Sequence, residues 1–326
     1  MTSRLDDYQT TGQPGTSSGS HPRRRRGLRR LKEVPVAPSL VTLGNLFFGF
    51  LAIAKVADAL QAAQPGAPFQ TVIGLFETAT VLIFVAMVLD AVDGRVARMT
   101  GQTSAFGAQL DSLCDMVTFG LAPAFIGKVL IDWHAQVDEN SLLTLSPKLY
   151  YAAAAVYVLC AALRLARFTA ETGDDDEDHA EFRGLPTPGA AAVVASLIAL
   201  FCTRDDPGSD LGRLVFGDNF DWIVQGMPIV LVLLGLLMVS RVPFPHAAHA
   251  LVQRRHSLPF LAGLVVLIVL AAVEWQFALA AVTVGYVIWG LGLGLWRFVM
   301  RRPGPDDHHD GDLDAPPPRP PAPSPN

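Results

Sequence analysis

Four aspartates, Asp90, Asp93, Asp111 and Asp115, fall within 26 positions of an otherwise apolar stretch. On an insertion scale an aspartate at the centre of a membrane helix costs roughly 2.5–3.5 kcal/mol, so four of them beside lipid require a compensating partner. A divalent cation is the simplest one. Asp90 and Asp93 are three residues apart and Asp111 and Asp115 four apart. Each pair therefore shares a face if it lies on a helix. Two helices joined by a short loop would aim two carboxylates each into one cleft. Four negative charges suit two divalent ions, and hard carboxylate oxygens suit Mg²⁺ or Mn²⁺ rather than Zn²⁺. The competing explanation is that these side chains cap helix ends or sit in solvated loops.

The elements that must position them are helical and membrane-spanning. The 326 residues are 51% hydrophobic and 17% charged, with a mean hydropathy of +0.35. Long apolar runs in such a chain exclude an ordinary soluble domain. The fold class expected is all-α, a polytopic bundle of about eight transmembrane helices, each near the roughly 20 residues a bilayer needs. They are predicted at about 39–60, 71–96, 108–132, 148–170, 186–203, 221–240, 257–274 and 276–299. Only Glu274 and Trp275 separate the last two. Residues 1–22 have no apolar h-region, so no cleavable signal peptide is expected. Four segments follow: a disordered, basic juxtamembrane stretch (1–37), a six-helix core (38–240), two further helices (241–300) and a disordered Pro/Asp-rich tail (301–326).

Basic residues set the orientation. Arg23 to Arg26, Arg29, Arg30 and Lys32 precede the first span; Arg95 and Arg98 follow the second; Arg164, Arg167 and Arg183 flank the fourth connection. Arg241, Arg254, Arg255, Arg301 and Arg302 fall on the same side under alternating topology. Both termini and the aspartate cluster are thereby predicted cytoplasmic. The run Arg23 to Arg26 beside a span anchors topology and touches anionic lipid; it is not expected to bind nucleic acid. The acidic run 174–178 lacks alternating ligands and reads as a solvated loop. Cys114, Cys160 and Cys202 show no metal or disulfide spacing and read as inert thiols.

The full pattern around the aspartates is D-x-x-D-G-x-x-A-R, eight residues, then G-x-x-x-D-x-x-x-D, carried by Asp90, Asp93, Gly94, Ala97, Arg98, Gly107, Asp111 and Asp115. It resembles, at all eight positions, the signature of the CDP-alcohol phosphatidyltransferase family. Residues 38–49 (PSLVTLGNLFFG), 107–123 (GAQLDSLCDMVTFGLAP), 163–168 (LRLARF) and 182–191 (FRGLPTPGAA) are similar to one branch, the phosphatidylserine synthases. Where that branch carries Asn after the RLARF run this chain has Thr169, and Ser39 stands where Asn is frequent.

The resemblance implies a transfer of a phosphatidyl group from CDP-diacylglycerol to a hydroxyl, with L-serine the first choice of acceptor and glycerol phosphate or inositol phosphate as alternatives. It implies that Asp90, Asp93, Asp111 and Asp115 bind two Mg²⁺ or Mn²⁺ ions and that Asp115 is also the general base. Gly94, Ala97, Arg98, Gly107 and Asp111 would form the nucleotide site, where a missing side chain lets the ligand approach the backbone. Arg98 could present its fork to phosphate or serve as a helix-end anchor.

Asn45 lies in the first span, where an amide is costly unless bonded; it either lines the donor site or bonds between helices. Arg164 and Arg167 could receive an amino acid's carboxylate, and positive-inside anchoring explains them equally well. Gly184, Pro186 and Pro188 read as a rigid structural entry to the fifth span. Gly285, Gly290, Gly292 and Gly294 suit close packing, including a homodimer contact, although glycine is common in membrane helices. The implied location is the inner membrane of a bacterium, multi-pass, among its lipids. A non-enzymatic divalent-cation transporter is the competing class; it would place ionisable residues near the midplane of several helices, often with internal repeats.

Overall fold

A computed structural model describes residues 36–63, 68–100, 105–137, 147–171, 184–204, 220–242, 244 and 258–300. Expectations for the two tails, the basic run and the acidic run lie outside these residues. Nearly every described residue is helical, and none is in a strand. The elements are α1 (Val36–Ala62), α2 (Phe69–Thr100), α3 (Ala105–Asp115), a π-helical segment (Met116–Leu121) and α4 (Ala122–Val137). They continue with α5 (Pro147–Glu171), α6 (Thr187–Cys202), α7 (Asp221–Val239), α8 (Leu258–Val273) and α9 (Trp275–Met300).

In hydrocarbon every backbone N–H and C=O needs an internal partner, so apolar runs of this length can only be helices. Six described segments are long and apolar enough to cross a bilayer, which makes this a multi-pass membrane protein. α6 and α8 have 16 residues each, about 24 Å of helix, short of the roughly 30 Å hydrocarbon core.

α6 is the central post. Thirteen of its 16 residues are buried, many of them alanine, and α2, α4, α7 and α9 pack around it. Small side chains let neighbouring backbones approach, which is how helices associate where lipid removes the hydrophobic drive. Its entry is fixed by Gly184, whose φ of +93° belongs to glycine; a Cβ there would run into the carbonyl oxygens of Met238 and Ser240. Gly184 N–H donates to Val242 O (2.9 Å) and Leu185 N–H to Leu237 O (3.1 Å), docking this turn on the end of α7. The outward faces carry Leu40, Phe47, Val88, Leu159, Val266, Ile288 and Trp296, all exposed and suited to lipid.

The third span is not the uniform helix expected. Directly after Asp115 it widens into the π segment, where Ala122 N–H reaches back five residues to Val117 O. The disturbed backbone is met from outside: the buried Tyr157 hydroxyl donates to Phe119 O (3.1 Å), and Thr118 Oγ1 donates to Asn45 O (3.3 Å). Such segments carry no sequence signature of their own and frequently stand beside functional sites. α1 can lie against this one because Gly49 has no side chain; a Cβ would collide with the side chain and Cα of Thr118.

Among the α9 glycines, Gly290 is occupied within the chain, facing the ring of Phe244, whereas a Cβ on Gly285 or Gly292 would meet nothing within 4 Å.

Candidate active site

Asp90 lies 21 residues beyond Phe69, about 31 Å along α2 and hence at the far end of a span. α3 enters from the same end, and its last residue is Asp115. One carboxylate oxygen from each of Asp90, Asp111 and Asp115 comes together, all three within 4.8 Å of one another, with each residue partly exposed. At that separation and an effective dielectric of about 20, each ionised pair repels by about 3 kcal/mol. Three pairs rival the whole stability of a typical domain. The arrangement suits a divalent cation, and the trio can hold one.

Asp93 is not one of the three but lies within electrostatic range of Asp90 and Asp111. It is buried, its Oδ2 accepts a hydrogen bond from the Thr42 hydroxyl of α1, and its Oδ1 is buried without a hydrogen-bond partner. An orphaned carboxylate oxygen is costly in a low-dielectric setting, and a cation is the partner it lacks. These residues therefore fit a metal. Asn45, three residues after Thr42 on α1, donates from Nδ2 to Asp115 Oδ1 (3.1 Å) while its own Oδ1 is buried and unpartnered. One face of α1 thus steadies an aspartate from each acidic helix.

Arg164 of α5 joins the same end. Its Nη1 donates to Thr187 Oγ1 (2.8 Å) at the start of α6, its Nε is buried without a partner, and it lies within electrostatic range of Asp115. Arg167, three residues further along α5, is exposed. Gly94 is exposed, and a Cβ added to it would meet nothing within 4 Å, leaving open space over the backbone beside the acids. Gly107, at the start of α3, is partly exposed. Ala97 and Arg98 fall in the last turns of α2, but their side chains lie outside the described residues.

The family model for CDP-alcohol phosphatidyltransferases matches residues 35–224, which is more than half of the chain and contains every residue just named. The chain belongs to this family. It is 30% identical over 209 residues to a Helicobacter pylori CDP-diacylglycerol–serine O-phosphatidyltransferase, covering 64% of this chain and 71% of the relative. A Saccharomyces cerevisiae protein of the same description is 32% identical over 209 residues, covering 62% of this chain and 67% of its own length. One from Mycobacterium tuberculosis is 28% identical over 271 residues, covering 82% of this chain and 79% of its own. The chain is thus a membrane-embedded transferase of phospholipid biosynthesis.

Family membership explains the acids but not their supports. Sequence reasoning missed Thr42 and Thr187. The first could have been found, because Thr42 and Asn45 share a helix face by their i, i+3 spacing. Thr187 left no comparable signal, since its contact with Arg164 joins two different helices.

Proposed function

We propose that this protein transfers the phosphatidyl group of CDP-diacylglycerol to the hydroxyl of L-serine, releasing CMP. The observation that carries this is the convergence of Asp90, Asp111 and Asp115 at one end of the bundle, with Asn45 bonded to Asp115. The relatives named for the serine reaction support the choice of acceptor. Acids gathered at one end, not at the midplane, disfavour a transporter.

The donor's acyl chains stay in lipid against the apolar outer faces while its diphosphate lies at headgroup level, over the acids. Asp90, Asp93, Asp111 and Asp115 would hold two Mg²⁺ or Mn²⁺ ions. When bound, such ions neutralise the diphosphate and stabilise the departing CMP. Asp115 accepts the serine hydroxyl proton as the oxygen attacks the phosphatidyl phosphorus; the bond from that phosphorus to the CMP oxygen breaks, and CMP leaves with the electron pair. Asn45 keeps Asp115 oriented. Gly94, Ala97, Arg98, Gly107 and Asp111 shape the nucleotide site, and Arg164, with Arg167 nearby, receives the serine carboxylate.

The basic residues support a topology of eight crossings, α6 and α8 being the short ones, with both termini cytoplasmic; this site would then face the cytoplasm at a bacterial inner membrane, where CDP-linked donors and free serine meet. Residues 38–240 form the six-helix core and 241–300 an added hairpin. The open Gly285 and Gly292 face is the proposed homodimer contact. The test is CMP release by purified protein with CDP-diacylglycerol, Mn²⁺ or Mg²⁺, and serine, glycerol phosphate or inositol phosphate in turn. Serine-dependent CMP is expected; CMP release that depends on another acceptor instead would overturn the assignment.

A further inference from the structure

Helix α9 lies outside residues 35–224, the part matched by the family, yet it packs on the central post α6. Ser196 Oγ and Thr283 Oγ1 share a hydrogen bond of 2.7 Å between the two helices. One turn further along α9, Tyr286 rests on the first turn of α6, with its Cε1 3.5 Å from where a Cβ on Gly189 would stand. The Phe244 ring stands beside Tyr286, centroids 6.0 Å apart. That same first turn begins with Thr187, the residue that accepts from Arg164 Nη1.

Arg164 is thus held among three elements. Thr187 takes Nη1, Asp115 and Tyr286 are the ionisable groups acting on its charge, and Nε is buried with no partner. A guanidinium grips a carboxylate best with two parallel N–H groups, and the edge containing Nε is one that can do so. An arginine anchored through Nη1 alone could still swing about that bond.

We propose that Tyr286 is a positioning residue of the acceptor site, contributed by the C-terminal hairpin, which with Thr187 fixes Arg164 so that its Nε edge meets the carboxylate of the incoming amino acid. This rests on the serine assignment above. A guanidinium fork also suits phosphate, so the kinetics must separate the two substrates: the proposal requires the effect to fall on the acceptor and not on the donor.

The test is steady-state kinetics of CMP release on the full-length protein. Tyr286→Phe keeps the ring against Gly189 and removes only the hydroxyl, whose dipole and charge act on Arg164; it is expected to raise the serine KM roughly tenfold, the scale of one polar contact to a charged group. The kcat and the KM for CDP-diacylglycerol should stay within about twofold, as should all constants of the lipid-facing control Ile288→Val. Arg164→Lys keeps the charge without the fork and should raise the serine KM at least as far, and combining it with Tyr286→Phe should add little, because the two act as a unit. An unchanged serine KM in Tyr286→Phe, or effects that simply add in the double variant, would overturn the role of Tyr286 and leave the serine reaction standing. A wild-type protein that gives no serine-dependent CMP would remove both.

Discussion

The two ends of the helical bundle solve the same problem in opposite ways. At the end away from the aspartates, polar side chains are matched: Asp221 Oδ1 takes His134 Nε2 at 2.9 Å and Arg204 Nη1 at 2.6 Å, Lys128 pairs with Asp132, and Gln276 donates to Glu77 at 3.3 Å. At the aspartate end three acids crowd together. All the buried side-chain nitrogen and oxygen atoms without a hydrogen bond among the described residues, Asn45 Oδ1, Asp93 Oδ1 and Arg164 Nε, belong to residues of that end. Burial without a partner costs about 1–3 kcal/mol per group, more if charged. A fold that satisfies its polar groups at one end has the means to do so at the other, so the unmet groups mark where ligands complete the structure.

Substitutions can break this contrast. The largest effect is expected from Asp115→Asn, which should lower CMP release by roughly 10²–10⁴-fold, the range for loss of a general base. Its gel-filtration profile in detergent should match wild type; near-wild-type turnover would end the base assignment. Chelation comes next. EDTA should abolish turnover and Mn²⁺ or Mg²⁺ restore it, and metal at a hundred times its Kd should stabilise the protein by about 2.7 kcal/mol in thermal melts. That stabilisation should vanish in Asp111→Asn and survive in Asp221→Asn; equal responses would mean that the ends do not differ.

Thr42→Val is a subtler probe. It strips Asp93 of the hydroxyl that α1 donates to its Oδ2, and metal affinity should fall roughly tenfold, as for other residues that orient ligands. Titration of turnover against Mn²⁺ reads this directly. The smallest change is expected from Asp221→Asn: turnover within twofold of wild type and a loss of about 1–2 kcal/mol, seen as a melting midpoint a few degrees lower, since Arg204 is partly exposed and screened. A catalytic defect in that variant would erase the division of labour between the ends.

How much of this was legible in sequence follows from the range of each interaction. Helices were readable because apolar runs of this length admit no other backbone in lipid, and Asp111 and Asp115 were readable because four residues make a helical turn. The turn at Gly184 was readable from glycine followed closely by two prolines. Asp93 was expected beside Asp90 from their spacing, but nothing local points to Thr42, 51 residues earlier, which bonds it from another helix. The bond from Arg164 to Thr187 and the seat of Tyr286 on Gly189 likewise depend on how helices dock. The division between six spans of full length and two short helices was not readable either, because α6 is enclosed by protein and need not match the bilayer.

The wide turn at Met116–Leu121 has one more implication. A single α-helical rod would lock the azimuth of Asp111 and Asp115 to that of Ile126 and Leu130, whose side chains are fully buried fifteen residues further on. Each residue advances an α-helix by about 100°, so the surplus residue in the wide turn resets the angle between the two halves. Deleting one residue there would turn the acids out of their cleft while every hydrophobic contact below stayed in register. The surplus residue thus sets one angular offset between the acids and the buried face beneath them, an offset that uninterrupted α-helix of the same sequence could not provide.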